Sequence, residues 1–172
     1  MRLDRIILLF LFMMLKSFSL TAQETDYKMA SLFIYNFGKY IDWPDESRKQ
    51  EFLIGVYGND DVKNQLLKTI GTKTMNGTPI VIKQFTNPEE GLNCNMVFVT
   101  YPESSKLTSV ANVLKDKPVL IVSEKQGLLK KGAGINLFTD DEDAYKTKFE
   151  INKKSIELKH LKVAGSLVKL AE

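Results

Sequence analysis

Apolar residues recur at Ala30, Phe33, Ile34, Phe37 and Ile41, a spacing of i, i+3, i+4, i+7 and i+11 that falls on one face of a helix. Thr25 or Asp26 would cap its start. Pro44 disfavours helical geometry at Trp43, so the spacing predicts a helix that closes at Trp43-Pro44. Gly38 costs such a helix some stability, which the periodicity outweighs. Beyond a charged loop the pattern changes. Residues 52–57 form a continuous apolar run and read as a buried strand. Gly58-Asn59-Asp60-Asp61 then supplies a turn and a cap for a helix with Val62, Leu66, Leu67 and Ile70 inward and Gly71 at its end. Asn76-Gly77 is a turn signal, and residues 79–85 make a second strand carrying β-branched Ile80, Val81 and Ile82.

The alternation continues with a strand over 96–100, a helix over 104–114 with Leu107, Val110, Ala111 and Leu114 on one side, and a strand over 118–122. Strands alternating with helices predict an α/β fold: an open, mostly parallel sheet covered by helices on both faces. The tail is different. Residues 134–138 and 148–151 read as a C-terminal antiparallel strand pair around the acidic turn Asp140-Asp141-Glu142-Asp143. Residues 155–170 have apolar positions at roughly helical spacing, weakened by Gly165. There is no internal repeat and no low-complexity linker, so a single domain is expected.

The first residues change what compartment that domain works in. Arg2 and Arg5 precede an apolar stretch from Ile6 to Leu15, and Leu20-Thr21-Ala22 precedes a polar segment. This is the charged, apolar and small-residue order of a signal peptide, expected to span residues 1–22 and to leave residues 23–172 as the mature domain. The apolar stretch falls short of the roughly 20 residues of a membrane span. The leader would take Arg2, Arg5, Lys16 and Asp4 with it, three basic groups and one acidic, so the net charge drops from +3 to +1. That balance offers no concentrated basic face for nucleic acid. Cys94 is the only cysteine, which excludes an intrachain disulfide. It adjoins the apolar run Met96-Val97-Phe98-Val99 and is expected to be a buried structural thiol.

Candidate chemistry is sparse. Gly58, Asn59 and Ser123 stand at expected strand ends, where open α/β sheets place ligand crevices, and are the candidate ligand-binding residues. Strand-to-helix capping explains Gly58-Asn59-Asp60-Asp61 equally simply. No G-x-G-x-x-G or phosphate-loop lysine motif is present. His160 is the sole histidine, with no nucleophile-elbow motif and no Cys/His cluster to support catalysis or metal binding. The acidic residues 140–143 lack the spacing of a calcium loop. Asn76-Gly77-Thr78 matches a glycosylation acceptor and also makes a good turn. Neither a catalytic residue nor a cofactor is assigned. Phe33, Phe37 and Ile41 are expected to face the core. Tyr35, Tyr40 and Trp43 lie partly off that face and are the candidate partner-binding residues, with core packing as the competing reading.

Tyr35-Asn36-Phe37-Gly38-Lys39-Tyr40-Ile41-Asp42-Trp43-Pro44 resembles the N-terminal helix of the YfiR-like periplasmic proteins. Strand 52–57 with Gly58, Cys94 before a hydrophobic strand, Pro118-Val119-Leu120, Gly134-Ile135-Asn136, Phe149-Glu150-Ile151-Asn152 and Leu167-Val168-Lys169-Leu170-Ala171 follow in the family's order. The resemblance spans nearly all of the mature chain. It implies a periplasmic α/β regulator, not an enzyme, that restrains a membrane signalling protein, a diguanylate cyclase, by contacting its periplasmic part. Nucleic acid is not an expected partner, and a homodimer is compatible with the reading. The alternative is a periplasmic small-ligand binding module.

Overall fold

The structure, a computed structural model, describes residues 20–47, 49–58, 60–140 and 146–171. Most of the expected leader, Asn59 and residues 141–143 of the acidic turn lie outside them. The chain enters through α1 (Leu20–Tyr40) and passes to a two-residue strand, β1 (Ile41–Asp42). The central βαβ unit follows: β2 (Phe52–Tyr57), α2 (Asp60–Ile70), β3 (Thr74–Met75) and β4 (Thr78–Phe85). Next come β5 (Met96–Val99), α3 (Leu107–Val113), β6 (Leu120–Ser123), β7 (Ile135–Thr139) and β8 (Thr147–Ile151). The chain closes with α4 (Lys153–Glu157), β9 (Lys162–Val163) and α5 (Gly165–Leu170).

Seven strands form one sheet in the order β3-β4-β2-β5-β6-β7-β8. The inner five, β4 to β7, are parallel, and β3 and β8 run antiparallel at the two edges. The fold is therefore α/β with a mostly parallel sheet and the C-terminal antiparallel pair that the sequence predicts. Alternation along the inner strands builds a core on each face. Met96, Phe98, Leu120 and Val122 join Ile34 and Phe37 of α1 and Val62, Leu66 and Ile70 of α2 on one side. Val97, Val99 and Ile121 join Leu107, Val110 and Leu114 on the other. The Asn76-Gly77 turn is a two-residue hairpin between β3 and β4, with φ of 51° and 86°. Both central residues at positive φ is the conformation that matches strand twist in tight hairpins, and it suits Asn-Gly.

Several boundaries differ from the sequence reading. The α1 helix starts upstream of Thr25 and Asp26, which therefore lie inside it, and it ends at Tyr40, before Trp43. Ile41 and Asp42 leave the helix because they pair with Val163 and Lys162 of β9, and Ala164 N–H donates to the Tyr40 carbonyl at 2.9 Å. Leu67 points outward, while Val62, Leu66 and Ile70 are buried as expected. Residues 104–114 are not one α-helix, because Tyr101–Lys106 is a 3-10 segment with proline in its first turn and α3 begins only at Leu107. Residues 155–170 break into α4, β9 and α5, with His160 at a φ of 61°. The demand of β1 for a pairing strand overrides the helical spacing there.

Candidate functional site

The aromatic segment that closes α1 divides into three environments. Tyr35 is half-buried. Its hydroxyl donates to the Thr74 carbonyl at 3.4 Å, and the Lys39 and Lys73 ammonium groups stand 5.0 and 5.4 Å from its ring centre. Two cations near one phenol ring hold it against α2's end and β3. Tyr40 is 41% exposed and sits on the outward side of α1 with Met29 and Leu32, at 41% and 36%. Those three positions are spaced i, i+3 and i+11, so an apolar stripe faces away from the sheet. Trp43 turns inward. Its ring meets Phe52 edge-on at 5.0 Å, and its indole N–H donates to the Asn95 carbonyl at 3.1 Å. Of the three candidate partner-binding residues, Tyr40 presents the most free surface, and Trp43 is tied into the fold.

Gly38 is packed against the Met75 side chain, which occupies the space a Cβ would need. The glycine in the middle of α1 thus lets β3 close on the helix, a reason that its sequence position did not show.

The strand ends hold less open space than the sequence suggested. The order β4-β2-β5 places the reversal of strand order between β2 and β5, where α/β crevices form. There the Thr100 side chain fills the volume beside Gly58, and Gln84 Nε2 donates to the Gly58 carbonyl at 2.7 Å. Asn59 lies outside the described residues. Ser123 is fully buried, and its hydroxyl donates to Asn136 Oδ1 at 2.8 Å. Asn136 also accepts from Lys125 N–H at 3.1 Å and donates to Glu150 Oε1 at 2.8 Å, which locks the loop after β6 to β7 and β8. Gly58 and Ser123 line none of the clefts described next.

Three clefts open elsewhere. One of about 460 Å³ lies beyond the carboxyl ends of β6 and β7, between Tyr27 and Ala30 of α1 and the segment from Glu124 to Gln126, with exposed Tyr101 at its rim. The Lys125 ammonium stands 5.4 Å from the Tyr101 ring centre. A second, of about 200 Å³, lies at the amino ends of β2 and β4 and is lined by Trp43, Lys49 and Glu51. The third, of about 440 Å³, is bordered by Cys94, Asn95, Val119 and His160.

Chemistry-bearing side chains are mostly committed to structure. Cys94 is buried, as expected, and desolvation pushes its thiol up to about 11 against the opposing pull of Lys49 and Lys83. His160 is exposed, whereas its neighbour Lys159 is buried and reaches the Val119 carbonyl at 3.4 Å. Burial lowers the Lys159 ammonium to about 8, with Asp116 acting in the opposite sense. Among the described residues, no three His, Cys, Asp or Glu side chains gather as a metal-binding group. No helix of the described residues is long and apolar enough to cross a membrane.

Two residues to which the sequence reading gave no individual role organise these regions. Asn95 accepts Leu53 N–H on its side chain at 2.9 Å, donates from its amide to the Ser47 carbonyl at 3.4 Å, and offers its own carbonyl to Trp43 and Leu120. Asn136 does the corresponding work at the other end of the sheet. Their shared signal is a buried amide beside an apolar strand run, which must find partners for every polar atom.

No curated protein matches the chain. A family model described as DUF4154, YfiR/HmsC-like, matches residues 27–172. The protein belongs to the YfiR/HmsC-like family.

Proposed function

We propose that the protein is an exported periplasmic adaptor that binds and restrains a membrane signalling protein, with a diguanylate cyclase as the partner. Membership of the YfiR/HmsC-like family suggests a periplasmic regulator of cyclic-di-GMP signalling, and the match over residues 27–172 is the observation that carries the reading. The signal-peptide pattern of residues 1–22 supports export. The outward stripe of Met29, Leu32 and Tyr40 on α1 supports a protein partner, since exposed aromatic and methionine side chains are enriched in interfaces. Tyr40 is the contact residue of this reading, and Tyr35 lies on another side of α1, bonded to the Thr74 carbonyl. Trp43 acts by holding the end of α1 in place. The adaptor changes its partner's output by binding one of its states in preference to another, and it has no catalytic role.

Deleting the gene tests this in the native host. Cellular cyclic-di-GMP should rise several-fold and return on expression of the exported chain, but not of a leaderless one. An unchanged level after deletion would contradict restraint of a cyclase.

A periplasmic small-ligand binding module is the second reading, favoured by the cleft of about 460 Å³ beside Tyr101 and Lys125. Of the candidate ligand-binding residues, Gly58 and Ser123 do not line that cleft, and Asn59 lies outside the described residues. A thermal-shift series with nucleotides, amino acids and peptidoglycan fragments tests it, and an unmoved melting temperature across the set would count against it.

A further inference from the structure

The two edges of the sheet are finished differently. On one side the two-residue β3 folds back over only Thr78 and Pro79 of β4, and residues 80–85 of β4 complete that edge. On the other side β8 offers five residues, with no proline and an unbroken register to β7. Edge strands of this length are usually blunted by a proline, a bulge or a cover, because unpaired backbone groups recruit other strands.

The hydrogen bonds that flank the β7–β8 ladder fix where each β8 backbone group points. Asp140 N–H donates to the Lys146 carbonyl, and Asn152 N–H donates to the Gly134 carbonyl, each at 2.8 Å. Positions alternate in an antiparallel ladder, so Lys146, Lys148, Glu150 and Asn152 direct their N–H and C=O groups at β7. Those of Thr147, Phe149 and Ile151 are directed outward, and no backbone partner meets them among the described residues.

We propose that β8 pairs antiparallel with β8 of a second copy, about a twofold axis through Phe149. Outward groups must meet outward groups, so the strands can shift only in steps of two residues. Centring on Phe149 sets Thr147 opposite Ile151 of the second copy and Lys148 opposite Glu150 of the second copy, and symmetry repeats both pairs. A slip of two residues one way sets Lys148 against Lys148, and the other way Glu150 against Glu150. Opposite charges directly across a strand pair stabilise it and like charges destabilise it. Lys148 pairs with Asp140 at 2.9 Å and Glu150 accepts from Asn136 at 2.8 Å within each copy, so the charges act mainly by penalising the slipped registers, which set like groups face to face. Such self-complementarity is what a twofold interface requires of a single surface, and it favours a second copy over an unrelated strand.

Side chains supply a floor for the joined strands. The Phe149 ring lies 6.0 Å from Phe33 and 5.1 Å from Phe37. The twofold axis places the two Phe149 side chains next to each other, on the sheet face that carries both α1 helices.

Sedimentation velocity of the purified protein should show a single-chain mass when dilute and twice that mass at high micromolar concentration. Thr147→Pro removes one outward N–H and leaves the bonds to β7 intact, a place where an edge strand tolerates proline. It should weaken association at least tenfold with unchanged circular dichroism. Amide hydrogen exchange keeps the test independent of that variant: the Phe149 and Ile151 amides should slow as wild-type concentration rises. A single-chain mass at every concentration overturns the proposal, as does a dimer whose Phe149 and Ile151 amides exchange at a fixed rate, or full association by folded Thr147→Pro. Slowing of those amides only when a partner's periplasmic fragment is added would assign the edge to a foreign strand and overturn self-pairing.

Discussion

The indole N–H of Trp43 donates to the backbone carbonyl of Asn95, and that one bond fastens the exit of α1 to the entry of β5. Asn95 also receives Leu120 N–H and clamps Leu53, so the aromatic segment is held to three neighbouring parallel strands at their amino ends. Trp43→Phe keeps most of the packing on Phe52 but loses the bond, and should cost about 1 kcal/mol. Trp43→Ala removes both and should cost roughly 2–4 kcal/mol, below the range for fully buried tryptophan because the ring is half-buried. Urea denaturation checks the order. Equal midpoints for wild type and Trp43→Ala would show that Trp43 does not anchor α1.

A Cβ on Gly58 would run into the Thr100 side chain at the reversal of strand order. Gly58→Ala should therefore destabilise the fold by about 1–3 kcal/mol, the usual cost of overpacking a filled site. Adding Thr100→Ala should recover part of the loss, because it removes the atoms nearest the new methyl. Additive losses in the double variant, read from urea midpoints, would contradict this contact.

Lys159 gives the protein a specific pH dependence. Its folded pKa is lowered to about 8 from an ordinary 10.5, first by burial, with Asp116 opposing. Between those two values the unfolded chain holds a proton that the folded chain has released, so this group's contribution to stability rises with pH through that window. Below about pH 8 the buried ammonium costs the fold on the order of 3 kcal/mol. Lys159→Met should be more stable than wild type at pH 7, and the difference should shrink towards pH 10. Parallel stability curves over that range would show that burial of Lys159 carries no proton-linked cost.

Cys94 should be inert in the native protein. Desolvation raises its thiol to about 11, and the side chain is buried, so little reactive thiolate is available at neutral pH. Alkylation by iodoacetamide at pH 8 should proceed only as fast as the chain opens, and should speed up by orders of magnitude in urea. Native labelling at the rate of a free thiol would contradict the buried placement.

The parts of this fold that depend on local periodicity were legible from the sequence. The 3.6-residue spacing of Ile34 and Phe37 named the buried face of α1, and Asn76-Gly77 named a hairpin turn, because both signals reside in a few adjacent residues. Long-range pairing was not legible. Residues 155–170 carry helical spacing, yet Lys162 and Val163 are drawn into β9 by strand β1, more than 100 residues earlier in the chain. Trp43 could not be divided between interface and core because its partner is a backbone carbonyl 52 residues away. Ser123 looked available at a strand end because the amide that satisfies it, Asn136, belongs to the next strand.

Affinity capture from gently solubilised host membranes, with wild type beside Tyr40→Ala and proteins identified by mass spectrometry, tests the central claim most directly. Tyr40 is 41% exposed, so its replacement should leave the melting temperature unchanged. The account predicts that wild type retains a membrane protein with a periplasmic part and a diguanylate cyclase domain, and that Tyr40→Ala retains at least fivefold less of it. Enrichment of no membrane signalling protein by the well-folded wild type would contradict the account.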